Sequence, residues 1–236
     1  MQVDIVCSCV VLNKKYRASF MVGMRLTSLT SGASMAALAL VLAVLPLSFP
    51  FPPVPYLRFD PAEIPVFIAL LGFGPASGML AAIIYYLALL AVGEFTPIGP
   101  TLKFLAVLSS VVGFWAGSRL LSSKGMASMV GAGVVVGIFL RVVVMTAANY
   151  VVLVAMFPEF LNFATATLSA FLGIRLTSDL QGLFLVLLFT AVYNILHMAL
   201  SLIPTVVALN TVHKAKALGS VWVPWVVKAS RPRDKS

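Results

Sequence analysis

The sequence predicts an all-α integral membrane protein, a bundle of six transmembrane helices with both termini in the cytoplasm. Three observations predict it. Of 236 residues, 61% are hydrophobic and only 10% charged, too little polar surface to coat a water-soluble globule. Long apolar runs separated by proline and glycine breaks recur along the chain, most of them long enough to cross a bilayer. The 16 basic and 7 acidic residues are sorted by side, as cytoplasmic loops enriched in lysine and arginine require.

The elements follow in order. Residues 1–30 read as a basic cytoplasmic leader carrying Lys14, Lys15, Arg17 and Arg25. Met21 or Met24, just before the first apolar run, is a candidate true start, which would make Cys7 and Cys9 irrelevant. A six-helix membrane domain is expected over 31–212 and a basic cytoplasmic tail over 213–236. The first span is predicted from about Gly32 to Phe49, ended by Pro50, Pro52, Pro53 and Pro55, because proline lacks the donor a helix needs. The apolar stretch from Ile64 to Val92 is too long for one span and is broken at Gly72-Phe-Gly-Pro75, giving a short helix and a full one. Further spans are expected at Leu102 to Leu121, Met126 to Phe157 and Leu180 to Leu209.

Charge tests this count. Six crossings from an inside start put 12 of the 16 basic residues inside, with Arg58, Lys103 and Arg175 outside alongside Asp60, Glu63, Glu94, Glu159 and Asp179. Merging Ile64 to Val92 into one span would place the Arg119/Lys124 loop and the basic C-terminus on opposite sides from this assignment. The net charge of +9 is therefore topological, and no nucleic-acid groove is implied.

No catalytic set is visible: G-x-S-x-G, H-E-x-x-H and G-x-x-x-x-G-K-[ST] patterns are absent, so neither an enzyme nor an ATPase is expected, and two histidines far apart give no metal pair. Arg141 lies inside its span. An intramembrane charge marks either a site or a structural contact within the bundle, and both readings stand. Arg141, Met145 and Asn149 fall on one helical stripe, and Asn194 and His197 share a face beside Tyr193. Such amides and imidazoles either hold a planar heterocycle or glue helices together. Small residues repeat in the first span as Gly32/Ala36, Ala33/Ala37 and Ala39/Ala43, permitting close helix approach. In the proline-rich outer loop, Asp60 before Pro61 fits an N-cap before an N1 proline.

On these residues the chain resembles the substrate-binding S component of energy-coupling factor (ECF) transporters, in its riboflavin-type branch. The matching elements are Ala33-Ser-Met-Ala-Ala37, the loop Pro55-Tyr-Leu-Arg-Phe-Asp-Pro-Ala-Glu-Ile-Pro65, Gly72-Phe-Gly-Pro75, Arg141-Val-Val-Val-Met-Thr-Ala-Ala-Asn-Tyr150, and Tyr193-Asn194 where the family has Phe-Asn. The resemblance implies a vitamin-binding subunit in a prokaryotic plasma membrane, without a cofactor of its own, carrying riboflavin or a related flavin. It also implies a complex with a transmembrane coupling subunit, met through Ala33 and Ala37, and two cytoplasmic ATPases. Candidate ligand contacts are Phe59, Asp60 and Glu63 in the loop, Asn149 and Tyr150, and Tyr193, Asn194 and His197. Two departures bear on the identity of the vitamin: His197 stands where the family usually has lysine, and Gly99-Pro-Thr-Leu-Lys103 replaces a glycine-glutamate opening followed by asparagine. The competing reading is an assembly subunit or stand-alone channel whose polar residues are structural.

Overall fold

The structure, a computed structural model, describes residues 26–92, 95–176, 178–219 and 222–230. The start-site and cysteine expectations at Met21, Met24, Cys7 and Cys9 lie outside them. Five helices are long and apolar enough to cross a membrane: α1 (Leu26–Val44), α3 (Pro75–Val92), α4 (Ile98–Leu120), α5 with its π-helical extension (Met126–Met156), and α7 (Asp179–Lys214). A shorter apolar segment, Pro61–Phe73, runs as a 3-10 turn, then α2 (Ile64–Ile68), then a π turn (Ala69–Phe73).

The first span departs from expectation at both ends. It begins at Leu26, inside the expected leader, and stops at Val44 rather than Phe49. The prolines that end it do not leave an irregular loop: β1 (Phe49–Phe51) and β2 (Val54–Phe59) form an antiparallel hairpin pairing Phe49 with Phe59 and Pro50 with Arg58. Two short strands tolerate proline because each has only one partner and so leaves one edge unpaired. Packing separates the small-residue stripes of α1. Gly32, Ala36 and Ala39 face inward, with Gly32 so close to Ser77 and Leu80 that a Cβ would lie 3.0 Å from the leucine, whereas Ala33 and Ala37 are exposed.

The break at Gly72 to Pro75 is as predicted. Gly74 adopts φ 113°, a conformation open to glycine, and its N–H bonds the carbonyls of Ala69 and Leu70 before Pro75 opens α3. α4 and α5 pack backbone to backbone: a Cβ on Gly117 would lie 2.3 Å from the Ala132 carbonyl oxygen, and one on Gly113 2.8 Å from Gly137 Cα. This fixes the wall that carries Lys103 and Arg141.

The sequence reading provided no helix between the fifth and last spans, yet α6 (Pro158–Leu172) is there. Its signals are in the sequence: Pro158 at the first position, Glu159 in the first turn, and Gly173 taking the left-handed C-terminal position at φ 66°. At the other end, α7 runs through Lys214, so the expected tail starts inside its last turn. Beyond it, Trp222 and α8 (Trp225–Ala229) fold back onto the π turn, with Trp222 5.8 Å from Phe73 and the Trp225 ring against Gly74.

Candidate functional site

The hairpin, the 3-10 turn, α4, α5, α6 and α7 line a cavity of about 470 Å³, within the range of small-molecule sites. Its floor is ionic. Arg141 of α5 donates to both carboxylate oxygens of Glu63, at 2.7 and 2.9 Å, and both side chains are 1% exposed. Its Nε donates to Asn194 Oδ1 at 3.0 Å and its Nη1 to Ser110 Oγ at 3.3 Å. A planar guanidinium with five donors is suited to such a hub. The pair joins the 3-10 turn to α5, and Asn194 brings in α7.

Above it, α7 holds the hairpin by backbone carbonyls. Tyr193 donates to the Arg58 carbonyl at 2.6 Å and lies 2.9 Å from His197 Nδ1, while His197 Nε2 lies 3.2 Å from the Asp60 carbonyl oxygen. Phe59 packs against Tyr193 with ring centroids 4.8 Å apart. The expected cap is present: Asp60 Oδ1 accepts from the Ala62 N–H at 2.9 Å with Pro61 following. Its other oxygen accepts from Lys103 of α4. Asn149 commits one Nδ2 hydrogen to the Met145 carbonyl at 2.8 Å, which leaves its other N–H and its Oδ1 to face the cavity. The opposite end is apolar and aromatic, with Leu153, Phe95 and Phe160.

Of the sequence-predicted residues, the structure brings Asp60, Glu63, Arg141, Asn149, Tyr193, Asn194 and His197 to the cavity wall. Two it does not. Tyr150 is 48% exposed on the far side of α5 from Asn149, because one residue along a helix turns it by about 100°. Phe59 is buried behind Tyr193 and His197 rather than in the wall. The sequence-based candidates left out Tyr56 and Phe160 and took in Lys103 only within a departure from the family's pattern. Strand alternation would not have singled out Tyr56, because Leu57 and Arg58 line the cavity as well.

The model of the family described as ECF transporter, substrate-specific component, matches residues 28–209. The riboflavin transporter RibU of Staphylococcus aureus (strain TCH60) is 29% identical over 132 residues, covering 55% of this chain and 67% of that protein. The riboflavin transporter FmnP of Bacillus subtilis (strain 168) is 27% identical over 183 residues, 72% of this chain and 92% of that protein. A solved S component of a bacterial ECF transporter shares the fold, with a TM-score of 0.60 at 21% identity over 82% of this chain and 98% of that one.

Proposed function

The chain belongs to the substrate-specific components of ECF transporters, and from that premise we propose that it captures riboflavin or a closely related flavin at the outer side of a prokaryotic plasma membrane. It is a transport component and not an enzyme. In this reading it crosses the membrane six times with both termini in the cytoplasm, the sixth crossing being the short Pro61–Phe73 segment. A transmembrane coupling subunit and two cytoplasmic ATPases supply the energy, and the exposed Ala33/Ala37 face of α1 meets the coupling subunit.

The observation that carries the ligand reading is the cavity itself, with a hydrogen-bonding floor at one end and aromatic and aliphatic walls at the other. A flat heterocycle with a polar edge fits such a division. Asn149 and Asn194 orient its polar edge, Tyr193 contacts its face, and His197, whose two ring nitrogens meet Tyr193 and the Asp60 carbonyl, acts with Asp60 and Glu63 by shaping the wall around it. Two relatives named as riboflavin transporters support the choice of solute. No observation favours the assembly-subunit or channel alternative. Purification in detergent followed by visible absorption and flavin-fluorescence quenching tests the proposal: a copurified yellow chromophore or saturable micromolar quenching supports it, and failure to bind riboflavin or any other water-soluble vitamin at micromolar concentration would refute it.

A further inference from the structure

We propose that the Asp60–Lys103 pair makes this cavity a filter for net charge, selecting neutral ligands and rejecting anionic ones. The inference rests on the reading of the cavity as a flavin site. Four charged side chains form its walls as two mutually cancelling pairs, Glu63 with Arg141 and Asp60 with Lys103. The other charged residue of the wall, Arg58, is exposed and turns its guanidinium away to Ser48, bonding Oγ at 3.1 Å and the carbonyl at 3.3 Å. Arg58 has no acidic partner among the described residues but is solvent-exposed and screened, so a charged ligand finds no close, desolvated counter-charge, and burying a charge without one is costly.

The two pairs differ in what they can give up. Glu63 and Arg141 are fully buried and bidentate, and Arg141 also holds Asn194 and Ser110, so the floor cannot release a charge without losing its structure. Asp60 and Lys103 meet through one oxygen and one nitrogen, and their side chains are 13% and 22% exposed. This is the pair whose balance a single substitution shifts. Asp60→Asn removes the negative charge while keeping a side chain that caps the Ala62 N–H as well as aspartate does. Lys103 is then an unpaired cation beside the ligand. Lys103→Gln does the reverse and leaves Asp60 as an unpaired anion.

The test uses the full chain in detergent at pH 8, where a histidine of ordinary pKa, about 6.5, is neutral. Riboflavin and flavin mononucleotide share one ring system and differ by a phosphate, so the ratio of their dissociation constants reads charge selection. The wild type is expected to favour riboflavin by at least about tenfold, Asp60→Asn to shrink that preference by at least about tenfold, and Lys103→Gln to widen it. A folding defect weakens both flavins alike and leaves the ratio unchanged, so an unchanged ratio in both variants, with riboflavin still bound, overturns the charge filter alone. Equal wild-type affinity for the two flavins overturns it as well. Binding of neither flavin by the wild type overturns the flavin reading and the filter with it.

Discussion

Replacing Arg141 by methionine tests whether the buried ion pair organises the site. The substitution keeps most of the side-chain volume but leaves the Glu63 carboxylate without its two guanidinium hydrogen bonds in surroundings where it is 1% exposed. Breaking a buried pair from one side costs about 3–5 kcal/mol. Asn194 Oδ1 also loses its donor, a further ~1 kcal/mol, whereas Ser110 still donates to the Ala106 carbonyl. At roughly 2–4 °C per kcal/mol for a chain of this size, the melting temperature in detergent should fall by on the order of 10 °C. Glu63→Gln should cost a comparable amount by stranding the arginine. The double variant carries no buried charge at this position, and its loss should be smaller than the sum of the single losses by about 2 kcal/mol or more. Thermal unfolding followed by tryptophan fluorescence measures all four proteins. Single effects that add to within ~0.5 kcal/mol would show that the two side chains are not coupled, and the description of Arg141 as the hub of the floor would fail.

Other perturbations probe the scaffold. Gly117→Ala forces a methyl to 2.3 Å from a carbonyl oxygen of α5, so it should destabilise by about 1–3 kcal/mol. Gly131→Ala, with nothing within 4 Å, should be neutral or gain up to ~1 kcal/mol of helix propensity; the melting temperature should fall for Gly117→Ala and not for Gly131→Ala. Trp225→Ala removes the ring that covers Gly74 and should cost about 1–2 kcal/mol, read as faster tryptic cleavage at Lys214 and Lys216. Ala33→Trp or Ala37→Trp should lower transport by at least about tenfold, equivalent to ~1.4 kcal/mol at the partner interface, while solute affinity is kept. Equal loss of both would mean that this face is internal packing.

Much of the fold was legible because membranes impose simple rules. The apolar runs, the Gly72 to Pro75 break and the cap at Asp60 each follow from local chemistry. The hairpin was hidden because its strands are short and proline-rich, and pairing between residues ten apart leaves no periodic trace. α6 was hidden because the sequence from Pro158 to Leu172 reads as a loop when only spans are sought, although its terminal signals were present. The site was legible by stripe but not by partner. Arg141 and Glu63 each stood out, yet they are 78 residues apart, and nothing local tells an intramembrane arginine which acid it meets. Tyr150 shows the opposite error: adjacency to Asn149 in sequence is separation around a helix.

In the proposed six-crossing topology the short segment is the element that most needs explaining. Thirteen residues, Pro61–Phe73, span about 20 Å at α-helical rise, against about 30 Å of hydrocarbon. The deficit is made up by protein at both ends. On the outer side the hairpin carries irregular backbone down to Asp60, and Tyr193 and His197 satisfy its carbonyls there; non-helical backbone is tolerated at such depth only where protein or a cavity surrounds it. On the inner side Trp222 and Trp225 cover Phe73 and Gly74. Between them Leu70 packs so tightly on α3 that a Cβ at Gly78 would lie 2.8 Å from its own Cβ. Glu63, near the start of this segment, lines the cavity, and the chain that precedes it is the hairpin rather than a further helical turn.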